Sequence, residues 1–291
     1  MSFSKVALDI GKHPFSYSKL SIGHKCPFRF KEQIIKRTKP TNEVDSQAAK
    51  FGTAVHTIME KTLEKKAEAK ESLSINELRD AVEGSFEVAV VKHGLTEKEI
   101  LAVSEIESSV EHMIARILNF QQRTHSKLYI EKKLGIDADF NPVGFGDKQA
   151  FFRGVVDLAM VNPNGTVAII DHKSGYKTLR GHESQLKTYE ILAAYALHPI
   201  VLKEHGIEIT KVRTGINFIT DEDILWGDEV SIEEIKNSRK EWFIDWVNTI
   251  SQNALEGTIK RGRHCNWCGY RSFCGSKVGT RKKKKASTVA M

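Results

Sequence analysis

The chain has 291 residues, 40% of them hydrophobic and 28% charged, and it carries a formal net charge of +7. A chain of this length buries a core without disulfides, and its apolar runs are far shorter than the roughly 20 residues of a membrane-spanning helix, so composition excludes a membrane protein. Asp9 lies where a secretion signal would have its apolar stretch. We therefore expect a cytoplasmic protein, with a nuclear location as the alternative.

Charge is distributed unevenly along the chain. Residues 1–40 carry a formal charge of +7, residues 257–276 carry +4 and residues 277–291 carry +6, which leaves −10 for residues 41–256. Clustered basic residues are typical of proteins that bind nucleic acids. The pattern predicts an acidic middle between two basic ends, followed by a disordered basic tail.

The first part of the chain predicts helices. Residues 14–38 indicate a short helix. Residues 48–122 contain no proline and hold apolar side chains at spacings of three and four, which is typical of amphipathic helices. We expect breaks in this helical block near residues 72–75 and 93–94.

The hydrophobic period then changes to that of β-strands. Residues 128–136, 150–161 and 165–171 are strand-like, and Asn-Pro-Asn-Gly at residues 162–165 predicts a hairpin turn between the last two. We then expect a helix, a strand and a second helix, at residues 182–197, 211–220 and 231–255. This order predicts an α/β core sheet that follows a helical block.

Two carboxylates lie near the ends of the predicted hairpin strands. Asp157 follows Val-Val and Asp171 follows Ile-Ile, where strands usually bury hydrophobic side chains, so each needs a partner such as a divalent cation. A turn centred on residues 163–164 predicts Asp157 opposite Ile170, so that the carboxylates are diagonal neighbours. Lys173 lies on the same side of the strand as Asp171. These residues predict an Mg²⁺ or Mn²⁺ site, unless they are structural acids and a solvated lysine.

Polar pairs on two predicted helices could reach the same site. His56 and Glu60 are four residues apart and share a helical face, as do Gln185 and Tyr189. The alternatives are that His56 is an ordinary packed residue and that Gln185 and Tyr189 belong to an ordinary helix surface. Glu131 precedes the hairpin and either adds a carboxylate around the site or lies solvated at an edge beside a lysine, which is the interpretation we favour.

These segments together resemble the PD-(D/E)XK nuclease superfamily, and within it the RecB-like branch that includes the AddB and CRISPR-associated iron–sulfur nucleases. The motifs are Phe51-Gly-Thr-Ala-Val-His56-Thr-Ile-Met-Glu60, Gly-Val-Val-Asp157, Ile-Asp171-His-Lys173-Ser-Gly175 and Gln185-Leu-Lys-Thr-Tyr189. The resemblance implies that the metal is bound by three side chains and one backbone carbonyl, those of His56, Asp157, Asp171 and His172. It also implies a set of catalytic residues, namely Lys173, Asp157, Asp171, Gln185 and Tyr189.

The resemblance further implies a restriction-endonuclease-like α/β fold, with a mixed central sheet, flanking helices, a helical insertion and a C-terminal cysteine cluster. We expect an N-terminal segment with Cys26, a helical region with His56, a nuclease core, a cysteine segment that packs back on the N-terminus, and a tail. These parts correspond to residues 1–47, 48–125, 126–256, 257–276 and 277–291.

The four cysteines of the chain suggest a second metal centre. Cys265, Cys268 and Cys274 are spaced C-x₂-C-x₅-C, and Cys26 is the fourth. Composition alone favours a Cys₄ zinc site over an iron–sulfur cluster, and buried free thiols are the third possibility. One N-terminal cysteine before a proline and three C-terminal cysteines are similar to the iron–sulfur staple of AddB-like nucleases. The resemblance therefore implies a [4Fe–4S] cluster, with Zn²⁺ as the alternative.

A metal held by these cysteines would bring the two basic ends together. We place the DNA on the resulting patch, at Lys25, Arg29, Arg261 and Arg263. Aromatic residues between the cysteines are expected to shield the metal from water, namely Trp267, Tyr270 and Phe273.

The sequence therefore predicts a metal-dependent DNA nuclease that acts in DNA repair, recombination or processing, by hydrolysis with a metal-activated water. The resemblance favours an exonuclease over an endonuclease. We expect single-stranded DNA or DNA with a free end as the substrate, and a helicase or recombination subunit as a partner, because the chain has no phosphate-binding loop of an ATP-driven motor. The alternatives are a non-catalytic zinc- or iron–sulfur-containing nucleic-acid-binding module and an enzyme that acts on RNA.

Overall fold

The computed structural model describes residues 1–41, 47–67, 74–175, 179 and 181–274. The predicted basic tail, the last two residues of the cysteine segment and the first half of the predicted break at residues 72–75 lie outside the described residues. No helix in the described part of the chain is both long and apolar enough to cross a bilayer.

Three short helices form the N-terminal segment. Helices α1 (Lys5–Ile10) and α2 (Tyr17–Lys25) each begin after a serine whose side chain accepts a backbone hydrogen bond. A proline opens α3 (Pro27–Phe30), and a π-helical turn continues it over Lys31–Ile35. Cys26 has an extended backbone between α2 and α3, so the corner between two helices fixes its position.

The predicted helical block consists of four helices, α4 to α7. A capping box opens both α5 and α6, and Gly94 ends α5 with a φ of 55°, which confirms the predicted break there. The apolar faces pack together and against one face of the sheet, around Leu158 and Ile170. The four helices span Gln47–Ala67, Ile75–His93, Glu97–Ser104 and Glu107–Thr124.

A six-stranded mixed sheet forms the centre of the fold, in the order β2-β1-β3-β4-β5-β6. Strands β4 and β5 are parallel and the other neighbours are antiparallel, which confirms the predicted mixed sheet. Strands β2 and β6 were not predicted, because β2 has two residues and β6 is half-exposed and interrupted by acidic residues and a glycine. The strands are Lys127–Ile136, Pro142–Val143, Phe152–Val161, Thr166–Lys173, Lys211–Phe218 and Asp223–Ser231.

The predicted register of the β3–β4 hairpin is wrong by one residue. Leu158, and not Asp157, pairs with Ile170. The turn is longer than predicted, since the N–H of residue 162 donates to the carbonyl of residue 166 and Gly165 takes a φ of 85°. The same register continued by one residue places Asp157 directly opposite Asp171 and not diagonal to it.

Helices on the second face of the sheet complete the core. A π-helical turn, Ala193–Leu197, joins α8 (Glu183–Leu192) to α9 (His198–His205). After the sheet, α10 (Ile232–Glu234) leads through a π-helical turn to α11 (Lys240–Glu256). These helices and the N-terminal segment bury the larger of two apolar clusters. The sheet is thus covered on both sides, and the predicted acids lie at the end of its middle strands.

Candidate active site

Asp171 is the centre of a buried hydrogen-bond group at the end of β4. Its Oδ1 accepts hydrogen bonds from Gln185 Nε2 at 2.7 Å and from Tyr189 Oη at 2.8 Å. Lys173 Nζ lies 2.6 Å from its Oδ2. Burial and the nearby carboxylate raise the pKa of Tyr189, so the hydroxyl keeps the proton that it donates. The two residues on one face of α8 therefore fix the orientation of Asp171.

Asp157 is held by the neighbouring strand. Its Oδ2 accepts a hydrogen bond from the backbone N–H of His172 at 2.8 Å. Burial, and secondly the charge of Asp171, raise the pKa of Asp157 to about 8, although Lys173 and the hydrogen bond from His172 oppose this. The raised pKa shows that these two carboxylates beside one lysine are not both charged near neutral pH without further positive charge, which a bound cation would supply.

His56 and Glu131 extend this acidic group. His56 Nδ1 on α4 lies 3.4 Å from Asp157 Oδ2. One possible ligand atom from each of His56, Glu131 and Asp157 lies within 4.8 Å of the other two. Burial, and next the charge of Asp157, raise the pKa of Glu131 to about 7. The favoured interpretation of Glu131 as a solvated edge residue is therefore wrong.

An irregularity in β1 explains why Glu131 was misjudged. Its neighbours Ile130 and Lys132 pair with Leu158 and Val156, which leaves Glu131 opposite Asp157. Glu131 itself has a φ of 46°, in the left-handed region that non-glycine residues seldom adopt. Strand alternation therefore does not predict the direction of its side chain. The alignment of β1 on β3 was the signal that could have found it.

Glu60 does not join the group, although it shares a helical face with His56. Its carboxylate lies 3.1 Å from Lys61 Nζ and 3.9 Å from Lys92 Nζ. Glu60 therefore contributes negative charge near the site and contacts one lysine on α4 and one on α5.

The His172 side chain is buried, and the centre of its ring lies 6.1 Å from that of the His56 ring. Its Nδ1 lies 3.0 Å from Asn217 Nδ2 on β5, and burial lowers the pKa of the ring to about 3, so the ring is neutral. A strand residue directs its N–H and its carbonyl to the same neighbouring strand. Because the N–H points to Asp157, the carbonyl faces β3 as well, and the predicted role of the backbone stays compatible with the geometry.

The four cysteines of the N-terminal and C-terminal segments lie together. Cys26 and Cys265 are buried and Cys268 and Cys274 are partly buried, and all four line one small cavity. No three of their sulfurs lie within 4.8 Å of one another, although all four belong to the described residues.

The predicted aromatic shield is correct in only one of its three members. Tyr270 is buried and its hydroxyl donates to the carbonyl of Thr38 at 3.0 Å. Trp267 is 70% exposed and Phe273 is 47% exposed, so both face solvent.

A cavity of about 490 Å³ connects the two centres. Its wall includes basic residues of the N-terminal segment, one cysteine and two residues of the acidic site, namely Lys25, Arg29, Cys26, Lys173 and Gln185. Two of the four predicted DNA contacts thus lie beside the predicted catalytic lysine. Arg261 and Arg263 are exposed in the cysteine segment and do not line this cavity.

Comparison with known proteins agrees with this geometry. Residues 14–275 match the family model of the PD-(D/E)XK nuclease superfamily. No curated protein matches the chain significantly. The crystal structure of SSO0001 is similar at 15% identity over 76% of this chain and 96% of that chain, with a TM-score of 0.32, a value that carries no argument about fold or activity. The match over most of its length shows that the chain belongs to the PD-(D/E)XK nuclease superfamily, whose members are nucleases that typically use Mg²⁺ or Mn²⁺.

Proposed function

We propose that this chain is a DNA exonuclease that depends on Mg²⁺ or Mn²⁺. The observation that carries the proposal is the convergence of acids, an imidazole and a lysine from four separate elements at one end of the sheet, namely His56, Glu131, Asp157, Asp171 and Lys173. Buried carboxylates that face each other oppose folding unless a cation compensates them. This arrangement therefore favours a role in metal binding and catalysis over a role in stabilising the fold.

The donor set fits a hard divalent cation. Carboxylate and carbonyl oxygens are the preferred ligands of Mg²⁺, and Mn²⁺ accepts an imidazole as well. The residues that would hold the metal are His56, Glu131, Asp157 and Asp171, with the carbonyl of His172. When bound, the ion supplies positive charge to the phosphate and lowers the pKa of a bound water.

The surrounding residues keep this site in one geometry. Gln185 and Tyr189 fix one oxygen of Asp171, and the backbone N–H of His172 fixes one oxygen of Asp157. Lys173 Nζ, 2.6 Å from Asp171, is the cation that orients the attacking water and stabilises negative charge on the phosphate. Because the ligands are held before substrate binds, little reorganisation is needed during the reaction.

The cavity beside Lys173 is the proposed path of the DNA. Lys25 and Arg29 in its wall provide contacts for backbone phosphates. The exposed ring of Trp267 lies in the same segment as Arg261 and Arg263 and offers a surface on which an unpaired base can stack. These features support single-stranded DNA or a free end as the substrate. We further propose a role in DNA repair or recombination, with a helicase or recombination subunit as the partner.

The cysteine cavity is proposed to hold a [4Fe–4S] cluster. All four cysteines line one cavity, which gives the number of thiolates that a [4Fe–4S] cluster takes from a protein. The same number of thiolates also fits Zn²⁺, which is the alternative. The resemblance of the cysteine pattern to the iron–sulfur staple of AddB-like nucleases favours the cluster. A colourless protein with stoichiometric zinc would contradict this assignment.

The proposal is tested with the full chain and end-labelled substrates. Single-stranded DNA, double-stranded DNA and RNA of one sequence are incubated with Mn²⁺, with the label at either end. We expect DNA to be shortened from an end, and Asp157→Asn to lower the rate by about 10³-fold or more, because it removes a charged metal ligand. The matched control is Asp228→Asn, which changes an exposed aspartate of β6.

Three results would contradict the proposal. Folded wild-type protein that leaves all DNA intact while binding it in a salt-dependent manner would indicate a binding module. Cleavage of RNA alone would assign a different substrate. Equal cleavage rates for the wild type and Asp157→Asn would show that the acidic group takes no part in catalysis.

A further inference from the structure

A second large cavity lies on the opposite face of the sheet from the Asp171 group, under the helical block. It has a volume of about 730 Å³ and is bounded by α7 and by strands β3 to β6. Ile170 contributes to its floor, while the next residue along β4 is Asp171, whose side chain points to the other face. Its polar and aromatic walls are formed mainly by Arg116, Phe120, Arg123, Asn162, Arg213 and Trp226.

The cavity carries a surplus of positive charge. Arg116, Arg123 and Arg213 each donate a hydrogen bond to a backbone carbonyl, at 2.7, 3.4 and 3.4 Å. None of the three forms an ion pair with a carboxylate among the residues that the structure describes. The acid in the lining, Glu229, is paired with Lys211 at 2.8 Å. Three guanidinium groups around one concave surface are the arrangement that binds a phosphate.

Two aromatic rings accompany the arginines. Trp226 lies over Gly215, where a Cβ atom would approach its ring to 2.7 Å, so the indole covers the backbone of β5. The guanidinium carbon of Arg213 lies 5.1 Å from the centre of the same ring. Phe120 lines the cavity from α7. Aromatic rings and arginine planes are the surfaces on which nucleobases stack.

We propose that this cavity is an accessory nucleotide-binding site. Its arginines would bind the phosphate, and Trp226 and Phe120 would contact the base. The volume lies within the usual range of about 300–1,000 Å³ for small-ligand sites. The nucleotide is either a free nucleoside monophosphate or one unit of a DNA strand, because both present the same phosphate and base.

The test uses full-length protein with a chelator, so that binding is measured without hydrolysis. Calorimetric titrations compare thymidine monophosphate, a short oligothymidylate and inorganic phosphate. The double variant Arg123→Gln/Arg213→Gln removes two charges from the cavity. The control, Arg79→Gln/Lys98→Gln, removes two charges from exposed positions on α5 and α6 outside it. Thermal unfolding checks that each variant is folded, and Arg213→Lys replaces the double variant if that one unfolds.

We expect the cavity variant to weaken binding of the monophosphate or the oligothymidylate about tenfold or more, and the control to change it less than twofold. If the cavity variant binds the monophosphate more weakly, the ligand of the cavity is a free nucleotide. If it binds only the oligothymidylate more weakly, the ligand is one unit of a DNA strand. The proposal is overturned if neither ligand binds, if the cavity variant binds as the wild type does, or if inorganic phosphate binds as tightly as the nucleotide. None of these outcomes depends on nuclease activity.

Discussion

The acidic site and the cysteine cavity both gather metal-binding side chains, but the fold supports them differently. The ligands of the acidic site belong to α4, β1, β3 and β4, and hydrogen bonds from Gln185, Tyr189 and His172 hold the two aspartates. The cysteines come from a corner between two short helices and from a segment with one 3₁₀ turn, Arg263–Trp267. The sheet thus builds the first site before any metal binds, whereas the second joins the two ends of the chain.

Direct hydrogen bonds also join these ends. Phe28 N–H donates to the carbonyl of Thr258 at 3.0 Å, and Thr41 N–H donates to the carbonyl of Gly269 at 2.8 Å. From this difference we expect metal binding to contribute to chemistry at the acidic site and to folding at the cysteine site. Each of the following predictions tests one side of this contrast.

The largest effect is expected from Lys173→Ala. Loss of one positioned donor that stabilises charge in the transition state typically lowers a rate by about 10²–10³-fold. Because Lys173 is not itself a metal ligand, we expect Mn²⁺ still to raise the unfolding temperature of the variant. Steady-state cleavage measures the rate, and thermal unfolding with and without Mn²⁺ measures the stabilisation by the metal. Lys148→Ala, which changes an exposed lysine, is the control. A variant that cleaves at the wild-type rate would exclude Lys173 from catalysis.

The cysteine cavity is tested by Cys268→Ser. A metal centre that joins distant parts of the chain acts like a cross-link, and loss of a cross-link typically costs about 2–5 kcal/mol of stability. We expect a lower unfolding temperature and faster proteolysis of the terminal segments, with Mn²⁺ binding at the acidic site retained. Asn266→Ser changes an exposed neighbour and serves as the control. Loss of Mn²⁺ binding in Cys268→Ser would show that the two centres are not independent.

The same contrast explains how much could be predicted from the sequence. The sheet, the helical block, and the positions of Asp157, Asp171 and Lys173 follow from hydrophobic period and motif spacing. The hairpin register was missed because it depends on one extra turn residue, with Gly165 at positive φ. Strand β6 was missed because an edge strand with acidic side chains lacks a strong apolar pattern.

Glu131 and the aromatic residues show a second limit. The direction of the Glu131 side chain depends on a left-handed backbone that alternation does not encode. Trp267 was expected to cover the cysteines but faces solvent, whereas Tyr270 is buried and donates a hydrogen bond to the carbonyl of Thr38. Sequence patterns predict which side chains share an element. They do not predict side-chain directions where the element is irregular.

Glu131→Gln tests whether the residue that the sequence misassigned belongs to the acidic site. Loss of one charged ligand is expected to weaken Mn²⁺ binding by about 10–100-fold, the scale seen when groups that support a metal are removed. Calorimetric titration measures the affinity, and Glu241→Gln provides a control at an exposed position of α11. Unchanged Mn²⁺ affinity would show that Glu131 does not bind the metal and has a structural role instead.

The contrast between the two sites extends to a pH dependence that the acidic site should show and the cysteine cavity should not. Asp157 and Glu131 have folded-state pKa values raised to about 8 and about 7, with burial as the main cause. Between their unfolded values near 4 and these raised values, the folded chain holds protons that the unfolded chain has lost. The free energy of unfolding of the metal-free protein should therefore fall as pH rises from about 5 to 8, by at most about 1.4 kcal/mol per pH unit for each group.

Mn²⁺ should reverse this trend, because it binds the deprotonated carboxylates and so stabilises the folded chain more at pH near 8 than near 6. Denaturant unfolding with and without Mn²⁺ measures both slopes, and Asp157→Asn should flatten the metal-free slope since it removes the group with the largest shift. The Cys268→Ser variant, in contrast, should keep the slope of the wild type. The opposite result would be a metal-free pH slope that disappears in Cys268→Ser and persists in Asp157→Asn. It would show that the acidic site depends on the chain ends, so the contrast between the two centres would be wrong.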